Sequence, residues 1–305
     1  MKKRKIYAGE AHHVYQRTKN RGLIFYSTHD YLVFFTIFCT QARLREVEVL
    51  SLCPMPDHIH LVLVVNNNAE LSVFIQTYAH LFATEWNRRR KKKGHFFSHP
   101  FGSAAKLGSK QVRTTLAYSN NNPVERKITE RCEQYRWTFL PYYKNKAPYS
   151  PPINLSRTNS RMRTILKEID SRYQQGLYLH YSQLERWERL LSPREWMQVT
   201  DYIIGLWNVI DYEQAISYYG DFETMIRAFH DNTGSEYEIL EERDKYSDAV
   251  YADCSRIVLS EGLVHRLETI PSLSDAQKEQ IYELLLQRTS ARPRQIKKYL
   301  HLALQ

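Results

Sequence analysis

The chain has few cysteines, the residues that cross-link small secreted proteins through disulfides, and it lacks the long apolar runs that cross membranes. Only 4 of its 305 residues are cysteine, and no two of them form a C-x-x-C pair: Cys39, Cys53, Cys132 and Cys254. This spacing argues against a disulfide framework and against a zinc site. No apolar run approaches the roughly 20 residues that span a bilayer, and no apolar segment follows the basic start as in a signal peptide. We therefore expect a cytoplasmic protein without a membrane partner.

Acidic residues are scarce in the first half of the chain. Residues 1–150 contain 24 basic and 10 acidic side chains, residues 151–271 contain 13 and 20, and residues 272–305 contain 6 and 3. Such an asymmetry favours a polyanionic partner for the first half, most simply nucleic acid. Apolar residues make up 43% of the chain and aromatic residues 13%, which is enough for a core and excludes a mainly disordered chain.

A proline-rich segment predicts the main domain boundary. Three prolines lie within residues 147–155, and prolines favour an extended connection. We therefore divide the chain into a domain at 1–148, a helical and acidic region at 149–271, and a terminal unit at 272–305.

Strand and helix patterns alternate in the first domain, which indicates a compact α+β fold. Strands are predicted at 13–17, 47–53 and 58–65, and helices at 30–45, 71–90 and 112–122. The last helix is expected to end at residue 122, because a residue before proline avoids the α region.

The second half is predicted to be mainly helical. Helical periodicity covers residues 161–173, 181–191, 193–209, 211–219 and 221–230. A capping box at residues 274–277 then starts a helix at 275–288, and Pro293 begins a short basic helix that runs to residue 302. Two short helices with a basic second one match a DNA-binding helix-turn-helix.

The strand at 58–65 begins with the first chemically informative motif, His58-Ile59-His60. Residues i and i+2 of a strand face the same side, so both imidazoles project together and can hold one divalent cation. Taken alone, such a pair is more often ordinary polar residues on a strand.

Tyr118 and Asn122 form the second motif. On a helix, residues i and i+4 share a face, which brings a phenolic nucleophile close to a hard carbonyl oxygen that suits a metal. By itself this pair is also common, as a tyrosine on a helix with an asparagine before proline.

The ordered set of motifs resembles a known family. PMPDHIHLVLV at 54–64 followed by YSNNNPVERKI at 118–128 is similar to the single-tyrosine HUH transposases, specifically the REP-associated tyrosine transposases. HHVYQR at 12–17, GHFF at 94–97 and YRW at 135–137 also resemble family segments. The similarity covers roughly residues 5–145. The chain departs from the family by Arg17-Thr18 in place of Arg-Gly, by Asn120 in place of a histidine, and by a C-terminal region of about 155 residues.

The resemblance implies a ferredoxin-like antiparallel sheet with helices, the HUH nuclease core. It also implies that Tyr118 is the catalytic nucleophile, and that His58, His60 and Asn122 bind Mg²⁺ or Mn²⁺. The expected activity is cleavage and rejoining of single-stranded DNA that contains a hairpin or palindromic repeat, through a 5′-phosphotyrosine link. That link conserves the phosphodiester energy, so no nucleotide cofactor is expected. GSAAKLGSK at 102–110 only approximates a P-loop, because Leu107 stands where the motif requires glycine.

Basic residues in three places are expected to hold the DNA. They lie at the end of the first strand, in and after the RRRKKK run, and in the terminal helix: Arg17, Arg88, Arg89, Arg90, Lys91, Lys106, Lys110, Arg113, Arg292, Arg294, Lys297 and Lys298.

Two other interpretations stay open from the sequence. In the first, the protein is a regulator that binds DNA through the helix-turn-helix and the basic face, and its HUH site is vestigial. In the second, it is a replication initiator or a relaxase, although the short spacing from the histidines to the tyrosine argues against this class. The acidic middle region is expected to brace the catalytic domain or to contact a second copy in a homodimer.

Overall fold

The computed structural model describes residues 5–98, 101–231 and 246–304. The first part of the chain builds four strands and three helices in the order β1, α1, β2, β3, α2, β4, α3. Their bounds are β1 Glu10–Arg17, α1 Thr28–Leu44, β2 Glu48–Pro54, β3 His58–Val65, α2 Asn68–Arg90, β4 Gly102–Lys106 and α3 Gly108–Glu125.

The four strands form one antiparallel sheet in the order β2-β3-β1-β4. With two crossover helices, this order is the ferredoxin-like arrangement, so the predicted fold class is confirmed. β3 is central because β1 and β2 flank it, and in its register His60 lies opposite Tyr15 and His58 lies opposite Arg17.

The alternation of side chains along β3 divides the sheet into two faces. Ile59, Leu61 and Leu63 join α1 and α2 in the largest core. Val62 packs with Val112 and Leu116 of α3 on the other face. His58 and His60 share the parity of Val62, so both histidines face α3.

Two features of this domain differ from the prediction. β4, with the sequence GSAAK, contains no β-branched or aromatic residue, and its pairing with β1 makes it a strand. α3 does not end at Asn122 but continues through Pro123 to Glu125. The amides of Asn120 and Asn122 donate to the carbonyls of Leu116 and Tyr118 at 2.8 and 3.1 Å, so the buried asparagines support this end of the helix.

The middle region is helical, as predicted, and packs on the sheet domain. Short 3-10 turns lead into α4 Ser160–Gln174, α5 Tyr181–Leu190, α6 Pro193–Trp207, α7 Tyr212–Ser217 and α8 Phe222–Asp231. Side chains of α4, α5 and α6 join the same core as α1. Trp207 donates its indole N–H to Thr40 Oγ1 at 3.2 Å, which ties α6 directly to α1.

One ion-pair cluster joins α1 to residues from later in the chain and has a pronounced electrostatic effect. The buried imidazole of His29 lies 3.2 Å from a carboxylate oxygen of Glu188 and 3.5 Å from one of Glu268. Burial by itself lowers the pKa of His29, but the two glutamates outweigh it and raise this pKa to about 9.

The last described residues form a small unit of three helices, which we call the C-terminal unit (residues 246–304). It contains α9 Val250–Ser260, a 3-10 segment Leu267–Ser272, α10 Asp275–Arg288 and α11 Pro293–Leu300. The predicted capping box is present at α10, where Ser274 and Gln277 cap one another. α9 was not predicted from the sequence. Leu23 and Tyr26 of the first domain belong to the core of this unit. The helix-turn-helix role of α10 and α11 stays a prediction.

Candidate functional site

β3 provides two histidines to the face of the sheet that α3 covers. Both are buried, and their ring centroids lie 4.9 Å apart. Burial lowers the pKa of His60 well below its ordinary value, and the neighbouring His58 and His13 lower it further. A neutral imidazole is the form that binds a metal ion, so the environment of His60 suits a ligand.

α3 brings Tyr118 and Asn122 to the same place. Tyr118 is buried against His60, with ring centroids 5.4 Å apart and the rings nearly perpendicular. One turn later, Asn122 Oδ1 lies 3.4 Å from His58 Nε2. The four residues that the sequence predicted therefore converge at one point between β3 and α3.

These donors fit a divalent cation. Two ligand atoms that each lie about 2.1 Å from one ion are about 3.0–3.4 Å apart for octahedral or tetrahedral geometry. The separation of 3.4 Å between His58 Nε2 and Asn122 Oδ1 matches this range. Two imidazole nitrogens and an amide oxygen are borderline-to-hard ligands, as divalent Mn²⁺ or Mg²⁺ accepts.

Asp57, which the sequence analysis did not single out, orients His58. Its Oδ1 accepts a hydrogen bond from His58 Nδ1 at 2.6 Å, which leaves Nε2 to face Asn122. Its Oδ2 lies 3.0 Å from the ammonium of Lys298. Burial by itself raises the pKa of Asp57, but Lys298 and His58 outweigh it and hold this pKa well below the usual range. An ionised carboxylate behind a histidine is the usual support of a metal ligand.

His13 is a second residue that the sequence analysis did not assign to the site. It lies on β1, where residues 13, 15 and 17 share the face of His58 and His60. His13 Nε2 lies 2.9 Å from His60 Nδ1, and the two rings are stacked with centroids 5.2 Å apart. The sequence shows that His13, Tyr15 and Arg17 share one face of β1. Only the register of β1 against β3 shows that this face is also that of His58 and His60.

The predicted DNA-binding residues divide into exposed and buried groups. Exposed or half-exposed positions are occupied by Arg17, Arg88, Arg89, Lys91, Lys110, Arg113, Arg292, Arg294 and Lys297. Three other cations lie inside the protein. Arg90 binds Asp30 at 2.8 Å, Lys298 binds Asp57, and Lys106 is buried on β4. Arg89 pairs with Glu185 at 2.6 Å, so part of the RRRKKK run ties α2 to α5.

A second group of metal-binding residue types lies outside this site. Cys132, Glu133 and His230 place their donor atoms within 4.8 Å of one another. Glu133 already accepts hydrogen bonds from both neighbours, at 3.3 Å from Cys132 Sγ and 3.0 Å from His230 Nε2. Burial raises the pKa of the Cys132 thiol and thus disfavours the thiolate that a metal ion requires.

Comparison with known proteins shows what the first domain is similar to. Residues 6–122 match the family described as "Transposase IS200 like". This match confirms, for that part of the chain, the resemblance to transposases predicted from the HIH and Y-x-x-x-N motifs. No match was found among curated proteins.

One solved structure is also similar. It bears the description "Structure of the REP associates tyrosine transposase bound to a REP hairpin", with 17% sequence identity and a TM-score of 0.39. The alignment covers 45% of this chain and 80% of that one.

Among the described residues, no helix is both long and apolar enough to cross a membrane.

Proposed function

We propose that this protein cleaves and rejoins single-stranded DNA that contains a hairpin, with Tyr118 as the nucleophile. The observation that carries the proposal is the convergence of Tyr118, His58, His60 and Asn122 between β3 and α3. A nucleophile next to a set of metal-binding side chains, in a domain that matches transposases, fits phosphoryl transfer to a side chain.

The chemical step follows from the residue types. The phenolic oxygen of Tyr118 attacks phosphorus, the bond from phosphorus to the 3′ oxygen breaks, and a 5′-phosphotyrosine forms. The phenol loses a proton and the departing 3′ oxygen gains one, so the step is balanced. Attack by a 3′ hydroxyl on the phosphotyrosine reverses the step and joins the strands. No net phosphodiester bond is lost, so no nucleotide cofactor is required.

His58, His60 and Asn122 would hold a divalent ion, Mg²⁺ or Mn²⁺ by ligand type. Such an ion would polarise the scissile phosphate and offset the charge that develops there. The protein's own part is to hold the ligands and the phenol in a buried, pre-organised arrangement. Asp57 fixes the ring of His58, and the i, i+4 spacing on α3 fixes Asn122 relative to Tyr118.

DNA would be held by the exposed cations around this site. We assign this role to seven exposed or half-exposed members of the predicted set: Arg17, Lys91, Lys110, Arg113, Arg292, Arg294 and Lys297. Arg17 is close to the histidines, since it lies opposite His58 in the sheet, and its guanidinium lies 5.2 Å from the centre of the Tyr15 ring. A cation over an aromatic ring at the strand end suits a phosphate next to an unstacked base.

The test is formation of a covalent adduct. The protein is incubated with end-labelled hairpin DNA and Mn²⁺, and the products are separated on a denaturing gel. We expect a labelled protein band with the wild type and no such band with Tyr118→Phe, because the ring stays and only the attacking hydroxyl is lost. Tyr142→Phe, which alters a buried tyrosine bonded to Asp201 elsewhere, is the matched control and should keep the adduct. An adduct at normal yield with Tyr118→Phe would refute the assignment. DNA binding without any adduct would favour the regulator.

A further inference from the structure

The C-terminal unit makes close contact with the catalytic domain through α11. The backbone N–H of Leu23 donates to the Lys298 carbonyl at 3.3 Å, and Tyr26 donates its hydroxyl to the Tyr299 carbonyl. His301 Nε2 lies 2.8 Å from the Leu23 carbonyl. The His301 ring fills the place of a side chain at Gly22, where a Cβ would lie 2.7 Å from the ring. The unit and the loop after β1 are therefore packed as one body.

This docking delivers a buried ammonium to the turn that precedes β3. The Lys298 side chain is 8% exposed, and its Nζ lies 3.0 Å from Asp57 Oδ2. The other oxygen of the same carboxylate accepts from His58. The two oxygens of Asp57 are thus divided between a lysine of α11 and a histidine of β3, which holds the carboxylate in one orientation.

The same unit also contacts the end of α3. The backbone N–H of Asp248, just before α9, donates to the Arg126 carbonyl at 2.9 Å. Arg126 in turn donates its backbone N–H to the carbonyl of Asn122 at 2.9 Å. The residue before β3, Asp57, and the residue after α3, Arg126, are therefore both in contact with residues from beyond position 245.

We infer that Lys298 is a positioning residue for His58, acting through Asp57, and that the C-terminal unit completes the metal site of the first domain. The inference rests on the proposed function. Burying a lysine has a desolvation cost that a solvent-exposed α11 would avoid, and here the cation is placed where it immobilises the support of a ligand. The cations of α11 then have two roles: Lys298 is buried and supports the site, whereas Arg294 is exposed, as DNA binding requires.

The test is Mn²⁺ affinity of the free, full-length protein, measured by electron paramagnetic resonance of unbound Mn²⁺. We expect Lys298→Met to weaken binding by about 10-fold, at the low end of the range for residues that support a metal ligand. Lys298→Arg keeps the charge and the donor and should recover part of the affinity. Arg288→Met is the matched control, because Arg288 is an exposed cation of the same unit, 3.8 Å from Glu261. It should bind Mn²⁺ like the wild type.

A double variant separates positioning from folding. Asp57→Asn with Lys298→Met removes both buried charges, so thermal stability should return toward that of the wild type. If Lys298 positions His58, Mn²⁺ affinity stays low in this stable double variant. If affinity returns together with stability, the pair is only structural and the inference is overturned. Wild-type affinity in folded Lys298→Met would overturn it as well.

Failure of the proposed function gives a different result. In that case the wild type itself binds no Mn²⁺, or the wild type forms no adduct at any Mn²⁺ concentration. If the inference holds, Lys298→Met forms the adduct again when Mn²⁺ is raised about 10-fold, because only the occupancy of the site was lost.

Discussion

Arg90 lies inside the RRRKKK run, whose composition suggests DNA binding. Replacing Arg90 tests which residues of this run stabilise the fold and which bind DNA. Its Nη2 lies 2.8 and 2.9 Å from the two carboxylate oxygens of Asp30, and both side chains are fully buried. Its guanidinium also lies 4.1 Å from the centre of the Trp86 ring. Arg90 therefore joins α2 to α1, whereas Lys91, the next residue, is exposed.

The expected loss of stability follows from what Arg90→Met would leave behind. Asp30 also accepts hydrogen bonds from the Tyr181 hydroxyl at 2.5 Å and the Tyr26 backbone N–H at 2.8 Å, so its carboxylate would stay buried without its counter-charge. Removing one partner of such a pair costs about 3–5 kcal/mol. With a urea m-value of roughly 3 kcal/mol per M, the unfolding midpoint should fall by about 1–1.7 M. Lys91→Met is the matched control and should change stability by less than about 0.5 kcal/mol.

The effects of the two variants on DNA binding should be the reverse of their effects on stability. Lys91→Met should flatten the slope of log affinity against log salt by about 0.7 on single-stranded DNA, the effect of one lost phosphate contact. Arg90→Met, measured where it is folded, should leave this slope unchanged. A normal midpoint for Arg90→Met combined with a flattened slope would refute the division of the run between structure and DNA.

Four further predictions address the site, the electrostatics and the terminal helix. His60→Ala should abolish adduct formation, as should a chelator added to the wild type, and cleavage in excess chelator would rule out a metal-dependent site. His13→Ala should weaken Mn²⁺ binding about 10-fold, because His13 supports His60, and unchanged affinity would remove His13 from the site. The raised pKa of His29, about 9 because its two glutamates outweigh burial, predicts stabilisation that is complete below pH 6.5 and lost as the pH rises through 9. His29→Gln should flatten the melting temperature over this pH range, and an unchanged profile would contradict the assignment. Arg294→Met and Lys297→Met should each lower the salt slope on duplex DNA by about 0.9, whereas unchanged slopes would mean that α11 does not contact duplex phosphates.

Local patterns were enough to predict the elements that carry the chemistry. β3 has the predicted bounds, 58–65, because its run of β-branched and apolar residues after the Met55-Pro56 turn has strong strand preference. The period of two put both histidines on one face, and the period of 3.6 put Tyr118 and Asn122 on another. Each of these relationships spans only a few residues, so the sequence by itself determined the candidate ligands and the nucleophile, through the family that the ordered motifs resemble.

Relationships across long chain separations required the tertiary structure. β4 is a strand because β1 pairs with it, not because GSAAK prefers that state. His13 reaches the site through the register of β1 against β3, across 47 residues. Lys298 reaches Asp57 across 241 residues, and nothing in the periodicity of α11 distinguishes it from Lys297. Strand pairing and the burial of a charge depend on which surfaces meet in the folded protein. Only the tertiary structure therefore shows that α11, predicted to bind DNA, also directs Lys298 inward to Asp57, which orients His58.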